Sequence, residues 1–182
     1  MKEQSSLAEE RAEIYLRLEQ YSDIFSDFDM RPFGRRALSI DFLEELKRAA
    51  TDADQGGIEL MLHIPEKDRN ESEEEVIKER LAVHFKKHFH LLSAEKHRVL
   101  KLGRSMVIMG IIFMVAATFI VFKDPSESLF LSFLVVFLEP AAWFLLWEGM
   151  DQIIFNSKNM NRDLNFYRKM FNSHKHIYFK SY

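Results

Sequence analysis

Glu139 is the residue whose position in this sequence most demands a chemical reason. It is the one charged group in the 20-residue run Ser128–Trp147, and Pro140 follows it. In hydrocarbon a carboxylate costs about 3 kcal/mol on insertion scales, so such groups usually face a cavity or a partner. Proline has no N–H, so Pro140 leaves the Val136 carbonyl without its helical donor and bends the helix. Two readings follow. In one, Glu139 belongs to a carboxylate ring in an oligomeric pore and attracts cations. In the other, the apolar stretch sits shallower and the bend carries Glu139 toward a hydrated interface beside Trp143 and Trp147.

Histidines are the next candidates. His84 and His88 have the i, i+4 spacing of a metal pair on a helix, with His90 and His97 close by. No carboxylate accompanies them and there is no H-E-x-x-H pattern. They read as titratable groups on a solvated helix near lipid headgroups. His174 and His176 carry less signal. The run Glu71, Glu73, Glu74 and Glu75 suits the first turn of a helix, where carboxylates complement the dipole. The chain has no cysteine, phosphate loop, G-x-S-x-G or dinucleotide fingerprint. The expectation is a protein without enzymatic activity, with no catalytic, cofactor-binding or metal-binding residue and no cofactor.

The elements that hold these residues are set by two apolar runs. Ser105–Phe122 is 18 residues without a charge, and Ser128–Trp147 has only Glu139. At 1.5 Å per residue each covers roughly 27 to 30 Å, about the hydrocarbon thickness of a bilayer. They read as transmembrane helices at 105–122 and 128–148, joined by an external turn at 123–127 in which Pro125 favours the bend. Lys86, Lys87, Lys96, Arg98, Lys101 and Arg104 precede the first span, and Lys158, Arg162, Arg168 and Lys169 follow the second. That bias places both termini in the cytoplasm. The N-terminal stretch is charged and lacks the apolar core of a signal peptide, so insertion is assigned to the internal spans. A net charge of -3 offers no concentrated basic surface, so no nucleic-acid partner is expected.

Gly103, Gly110 and Ala117 recur every seven residues along the first span, and Ser128, Ser132, Ala142 and Gly149 are small residues on the second. Close packing of small faces holds spans together where lipid solvates leucine as well as a neighbouring helix does. The stripe therefore faces protein, either inside the hairpin or between subunits. Trp143 and Trp147 suit the inner interfacial belt as anchors.

The polar remainder reads as one small domain built from both chain ends. Region 1–71 is read as helix, helix, strand. The first helix spans about Ser6–Tyr21, from a Ser6/Glu9 capping box and the spacing of Leu7, Ile14, Leu18, Tyr21 and Phe25. An irregular FSDFDMRPFGRR segment docks its aromatics, and a second helix opened by Asp41 ends near Ala50. Ile58–Ile64 alternates and stops at Pro65, which makes it the clearest strand. Its best partner is the aromatic tail 176–182, within a subunit or between neighbours. Residues 72–104 form a stalk helix continuous with the first span, roughly 76 Å if unbroken, with a break near Gly103 as the alternative. Residues 149–182 supply a C-terminal helix and strand.

The order of these parts resembles an uncharacterised family of bacterial two-span inner-membrane proteins. The likeness runs from about Phe25 to the C-terminus and rests on Phe28-Asp29, Pro32-Phe33, the strand's closing Pro65 and Pro140. It implies an inner-membrane location with no assigned activity and no site residues to carry over.

The combined expectation is a membrane α+β protein: a two-helix transmembrane hairpin, a long stalk helix and a small cytoplasmic α/β domain. Its partners are the lipid bilayer, further copies of itself and an unidentified cytoplasmic protein. The function expected is a homo-oligomeric scaffold or interaction platform, with an oligomeric ion-conducting or membrane-perturbing pore as the alternative.

Overall fold

The computed structural model describes residues 12–52, 58–123 and 128–182. In chain order these form strand β1 (Ala12–Arg17), helix α1 (Ile40–Asp52), strand β2 (Ile58–Ile64), helix α2 (Glu71–Lys123), helix α3 (Leu129–Asp151), helix α4 (Ser157–Asn172) and strand β3 (Ile177–Ser181). A π-helical stretch at Gln152–Asn156 joins α3 to α4. The chain divides into two compact units, one running up to His90 together with Asp163–Tyr182, the other Leu91–Arg162.

The first unit is organised by a parallel sheet in the order β1-β2-β3. Ala12 pairs with Ile58 through to Arg17 with His63, and Leu60 pairs with Ile177 through to Ile64 with Ser181. The strand at 58–64 thus takes the tail as a partner within the chain, and it takes a second partner that the spacing had assigned to a helix. The helix expected over Ser6–Tyr21 is corrected: residues 12–17 are β1, while Ser6 and Glu9 lie outside the described residues. The local pattern served both structures. Ile14, Leu18, Tyr21 and Phe25 fit a helical face, but Ile14, Leu16 and Leu18 also alternate with Glu13, Tyr15 and Arg17. Pairing against β2 satisfies the backbone in register and buries Ile14, so the tertiary partner decides.

One face of the sheet is the core. Ile14, Leu60, Leu62, Ile177 and Phe179 join Leu46 of α1, Ile77, Leu81 and Phe85 of α2, and Phe166 and Met170 of α4 in one buried cluster. In a parallel sheet with sequential order, crossovers of a single hand place every connecting helix on the same face. Ser39, not Asp41, stands at the start of α1, with its hydroxyl 3.5 Å from the Phe42 N–H. The segment before it is irregular, and its aromatics divide. Phe25 is buried and stacks on Phe33 with ring centroids 5.1 Å apart, whereas Phe28 is fully exposed. Asp29 accepts from the Arg31 guanidinium and from the Ala37 N–H, each at 2.7 Å, contacts that hold its carboxyl well below the usual range.

The acidic run at the start of α2 is not uniform. Glu74 is buried, accepts a hydrogen bond from the Tyr21 hydroxyl at 2.8 Å and is held by Arg69 at 2.9 Å through both oxygens. The Tyr21 hydroxyl in turn accepts from the Asn70 N–H at 2.9 Å. This network ties the turn after β1 to the start of α2. Removing one partner of a buried pair strands the other. Glu74→Leu is expected to destabilise the full-length protein by about 3 kcal/mol, and Glu73→Leu by under about 0.5 kcal/mol, as read from thermal melts of the two variants side by side.

Candidate functional site

In the second unit the small residues make the helix contact. A Cβ on Gly103 would lie 2.9 Å from the Gly149 carbonyl oxygen, and one on Gly149 would lie 2.7 Å from the Gly103 carbonyl oxygen. A Cβ on Gly110 would meet Leu146 Cγ at 2.9 Å and the Ala142 carbonyl oxygen at 3.0 Å. Ala117 and Ala142 are buried. These pairings run α2 and α3 antiparallel, backbone against backbone, which only small side chains permit. The stripe of Gly103, Gly110 and Ala117 is therefore occupied within the chain.

The same register locates Glu139. Gly110 lies opposite Ala142 and Leu146, so Glu139, one turn earlier on α3, is level with the residues near 114 of α2. That is about halfway along the apolar run 105–122, roughly 12 Å along the axis from Trp147. Glu139 is exposed on the outside of the pair, and among the described residues nothing hydrogen-bonds it. α3 continues through Pro140. The Val136 carbonyl, whose helical donor the proline removes, thus lies one turn from the carboxyl group. Trp143 and Trp147 are 65% and 75% exposed on the same helix.

A further polar feature is written in the sequence as a four-residue repeat. Glu148, Gln152 and Asn156 recur every four residues. Gln152 donates to the Glu148 carboxylate at 2.9 Å, and Asn156 donates to the Gln152 carbonyl oxygen at 3.0 Å. This ladder runs through the π-helical stretch, beside the Gly103 contact. Lys96 donates to the Asn161 side chain at 2.6 Å.

The histidine pair differs from its expected setting. His84 and His88 are half-buried against α4 rather than solvated, with ring centroids 4.2 Å apart, and His88 stacks on Tyr167 at 5.2 Å. His84 Nε2 is buried without a hydrogen-bond partner. Burial, and then the neighbouring His88, Arg80 and Lys87, push the His84 ring down to about 4. His88 is also lowered, mainly by burial. Burial followed by Asp163 raises the Tyr167 phenol across from them. His90 and His97 are exposed, and His174 stacks on Phe171. Among the described residues no group of three His, Asp or Glu side chains could hold a metal ion.

At the carboxyl ends of the strands lies an open hollow of about 580 Å³ that includes Arg17, Glu19, Lys67, Asp68 and Tyr182. The Arg17 guanidinium sits 4.4 Å over the Tyr182 ring. Ligands of open α/β sheets favour this end. Two cations and two carboxylates at the rim give it no preference for either sign of charge. No protein-family model, curated protein or solved structure matches the chain.

Two outcomes follow from these contacts. Gly149→Val should separate α2 from α3 and lower the thermal midpoint in detergent by several degrees, whereas Val136→Leu on the exposed face should leave it unchanged. His84 is less protonated in the folded chain than in the unfolded one. Stability intact above about pH 6.5 should therefore fall as pH drops toward 4, by about 2 kcal/mol after allowing for the solvent that reaches the ring. In His84→Gln the pH dependence of the melting temperature should flatten over that window.

Proposed function

We propose that this chain is a two-span membrane protein that self-associates and holds its small α/β unit at the inner face as a non-enzymatic interaction platform. The observation that carries the reading is the joint construction of the first unit. β2 pairs with β1 before the apolar helices and with β3 after them. A unit made from both ends must lie on one side of any membrane the helices cross, which requires an even number of crossings. Two helices, Glu71–Lys123 and Leu129–Asn172, are long and apolar enough to cross. A core helix of a soluble protein would be mostly buried; here the apolar stretches are mostly exposed, with Ile111, Val115, Phe119, Phe133 and Phe137 all at least half-exposed. Lipid is the solvent that such surfaces suit.

The excess of Lys and Arg beside the polar ends supports a cytoplasmic location for that unit and for both termini. The resemblance to two-span bacterial inner-membrane proteins points to the same location. Self-association rests on Glu139, which is exposed beside the helix pair, level with the middle of the apolar run of α2, and has no hydrogen-bond partner among the described residues. The same feature favours a second reading, an oligomeric cation-conducting pore lined by Glu139. Two helices enclose no channel, so that reading needs several copies. Full-length protein should require detergent or lipid to stay dispersed, should be protected from protease at both ends in sealed inside-in vesicles, and should have the mass of more than one copy in mild detergent. A monomeric mass would remove both readings. Reconstituted protein passing a current that Glu139→Gln abolishes would select the pore over the platform.

A further inference from the structure

The helices that pack on the sheet, α1, α2 and α4, all join the cluster on one of its faces. The strand register writes a charge pattern on the other. Side chains alternate along a strand, so Ile14, Leu60 and Phe179 enter the core while their neighbours point away from it. On that second face the pairing sets three rows across the strands. Glu13 stands beside Glu59, with His176, whose ring contacts Tyr178, at the end of the row. Tyr15 stands beside Met61 and Tyr178, and Arg17 beside His63 and Lys180. The Tyr15 and His63 rings, with centroids 5.8 Å apart, mark the shared face. Tyr15 and Tyr178 are 58% and 40% exposed and flank a buried Met61, and Glu13, Arg17 and Lys180 are exposed. The Tyr15 hydroxyl donates to Glu13 and the Arg17 guanidinium lies over the Tyr182 ring; neither contact cancels a charge. The face thus runs from carboxylates through an aromatic row to cations over about 14 Å. Wholly parallel sheets are almost always covered on both faces.

Resting on the reading that the chain self-associates, we propose that this sheet face is a shared surface, stacked against the same face of a second copy with the strands antiparallel. Its charges select that occupant. A two-fold axis along the Tyr15–Met61–Tyr178 row turns the acidic row of each copy over the basic row of the other. Glu13 then meets Arg17 and Glu59 meets His63, each twice, while the aromatic row meets itself. Stacking with the strands parallel would set like charges against like, which is costly. Three short strands offer less area than a free-standing dimer needs. A bilayer that holds both copies supplies the difference by raising their local concentration.

The absence of cysteine makes the arrangement directly readable. On the two-fold axis Tyr178 faces its own copy, whereas Phe28, fully exposed in the same unit, lies off the sheet. Full-length Tyr178→Cys and Phe28→Cys variants, in membranes, are oxidised with copper phenanthroline. Tyr178→Cys should form disulfide-linked dimers at least about tenfold faster than Phe28→Cys. Within Tyr178→Cys, Glu13→Arg or Arg17→Glu alone sets like charges face to face and should slow cross-linking by about tenfold. The two swaps together should restore it, an outcome that a purely structural role for either residue would not produce. Equal rates at the two cysteines, single swaps without effect, or a double swap that stays slow overturns the stacked face. A Tyr178→Cys chain that stays unlinked at an oligomeric mass overturns it too, the face then being covered from within the chain or by a different protein. An oligomeric mass in mild detergent leaves self-association standing in each of these cases. A monomeric wild-type mass with no cross-link at either position removes the underlying reading as well.

Discussion

The parallel pairing of β2 with β3 constrains everything between them. Parallel neighbours cannot be joined by a tight turn, since the chain must travel back to the end of the sheet from which it started. In most α/β folds a single amphipathic helix makes that return. Here the return consists of α2, α3 and α4, and two of these carry largely exposed apolar stretches. The sheet accepts the excursion because its register closes on both sides of β2, with the Leu18 N–H donating to the His63 carbonyl at 2.8 Å and the Tyr182 N–H to the Ile64 carbonyl at 3.2 Å. Folding of the polar unit and an out-and-back course for the helices are thus one requirement seen from two ends.

Within the excursion two different forces hold the helices. Between α2 and α4 in the first unit, contact is made by large side chains, with Phe85, Phe166, Met170 and the rings of His88 and Tyr167 in mutual contact or shared burial. This is water-driven packing that removes apolar area from solvent. Between α2 and α3 in the second unit, glycine and alanine bring backbone to backbone. Such contacts bury little apolar area and gain instead from dispersion at close range. The change in contact chemistry falls along a single continuous α2, which contributes residues to both units. It is the change expected if the solvent itself differs between the two stretches.

The parts that were legible in the sequence are those fixed by local pattern. β2 shows as an alternating run closed by Pro65, the apolar runs show by length, and the seven-residue repeat of Gly103, Gly110 and Ala117 shows a helix that must meet something closely. Residues 72–122 lie in one helix, because Gly103 weakens a helix without ending it. β1 was not legible, since its apolar spacing fits two periods and only the edge of β2 chooses between them. Glu74 was not legible either. Its neighbours Glu71, Glu73 and Glu75 are of the same type, and what separates them is the helix face turned toward Tyr21 and Arg69, which depends on the path of a segment 50 residues away. His84 and His88 illustrate the same limit, because their burial is conferred by Tyr167 across the fold.

The depth of Glu139 could not come from composition, and it does not depend on any property of Glu139. It comes from the Gly110–Ala142 and Gly103–Gly149 pairings, which slide α3 along α2 until the carboxyl group is level with the middle of the apolar run. The same close contact that fixes the depth also uses up the small-residue face. The surface left to α3 is the outer one, where the Glu139 carboxyl group lies among exposed apolar side chains such as Val136, Phe137 and Trp143. The internal packing of the hairpin thereby determines which side of the molecule is left with polar groups to satisfy.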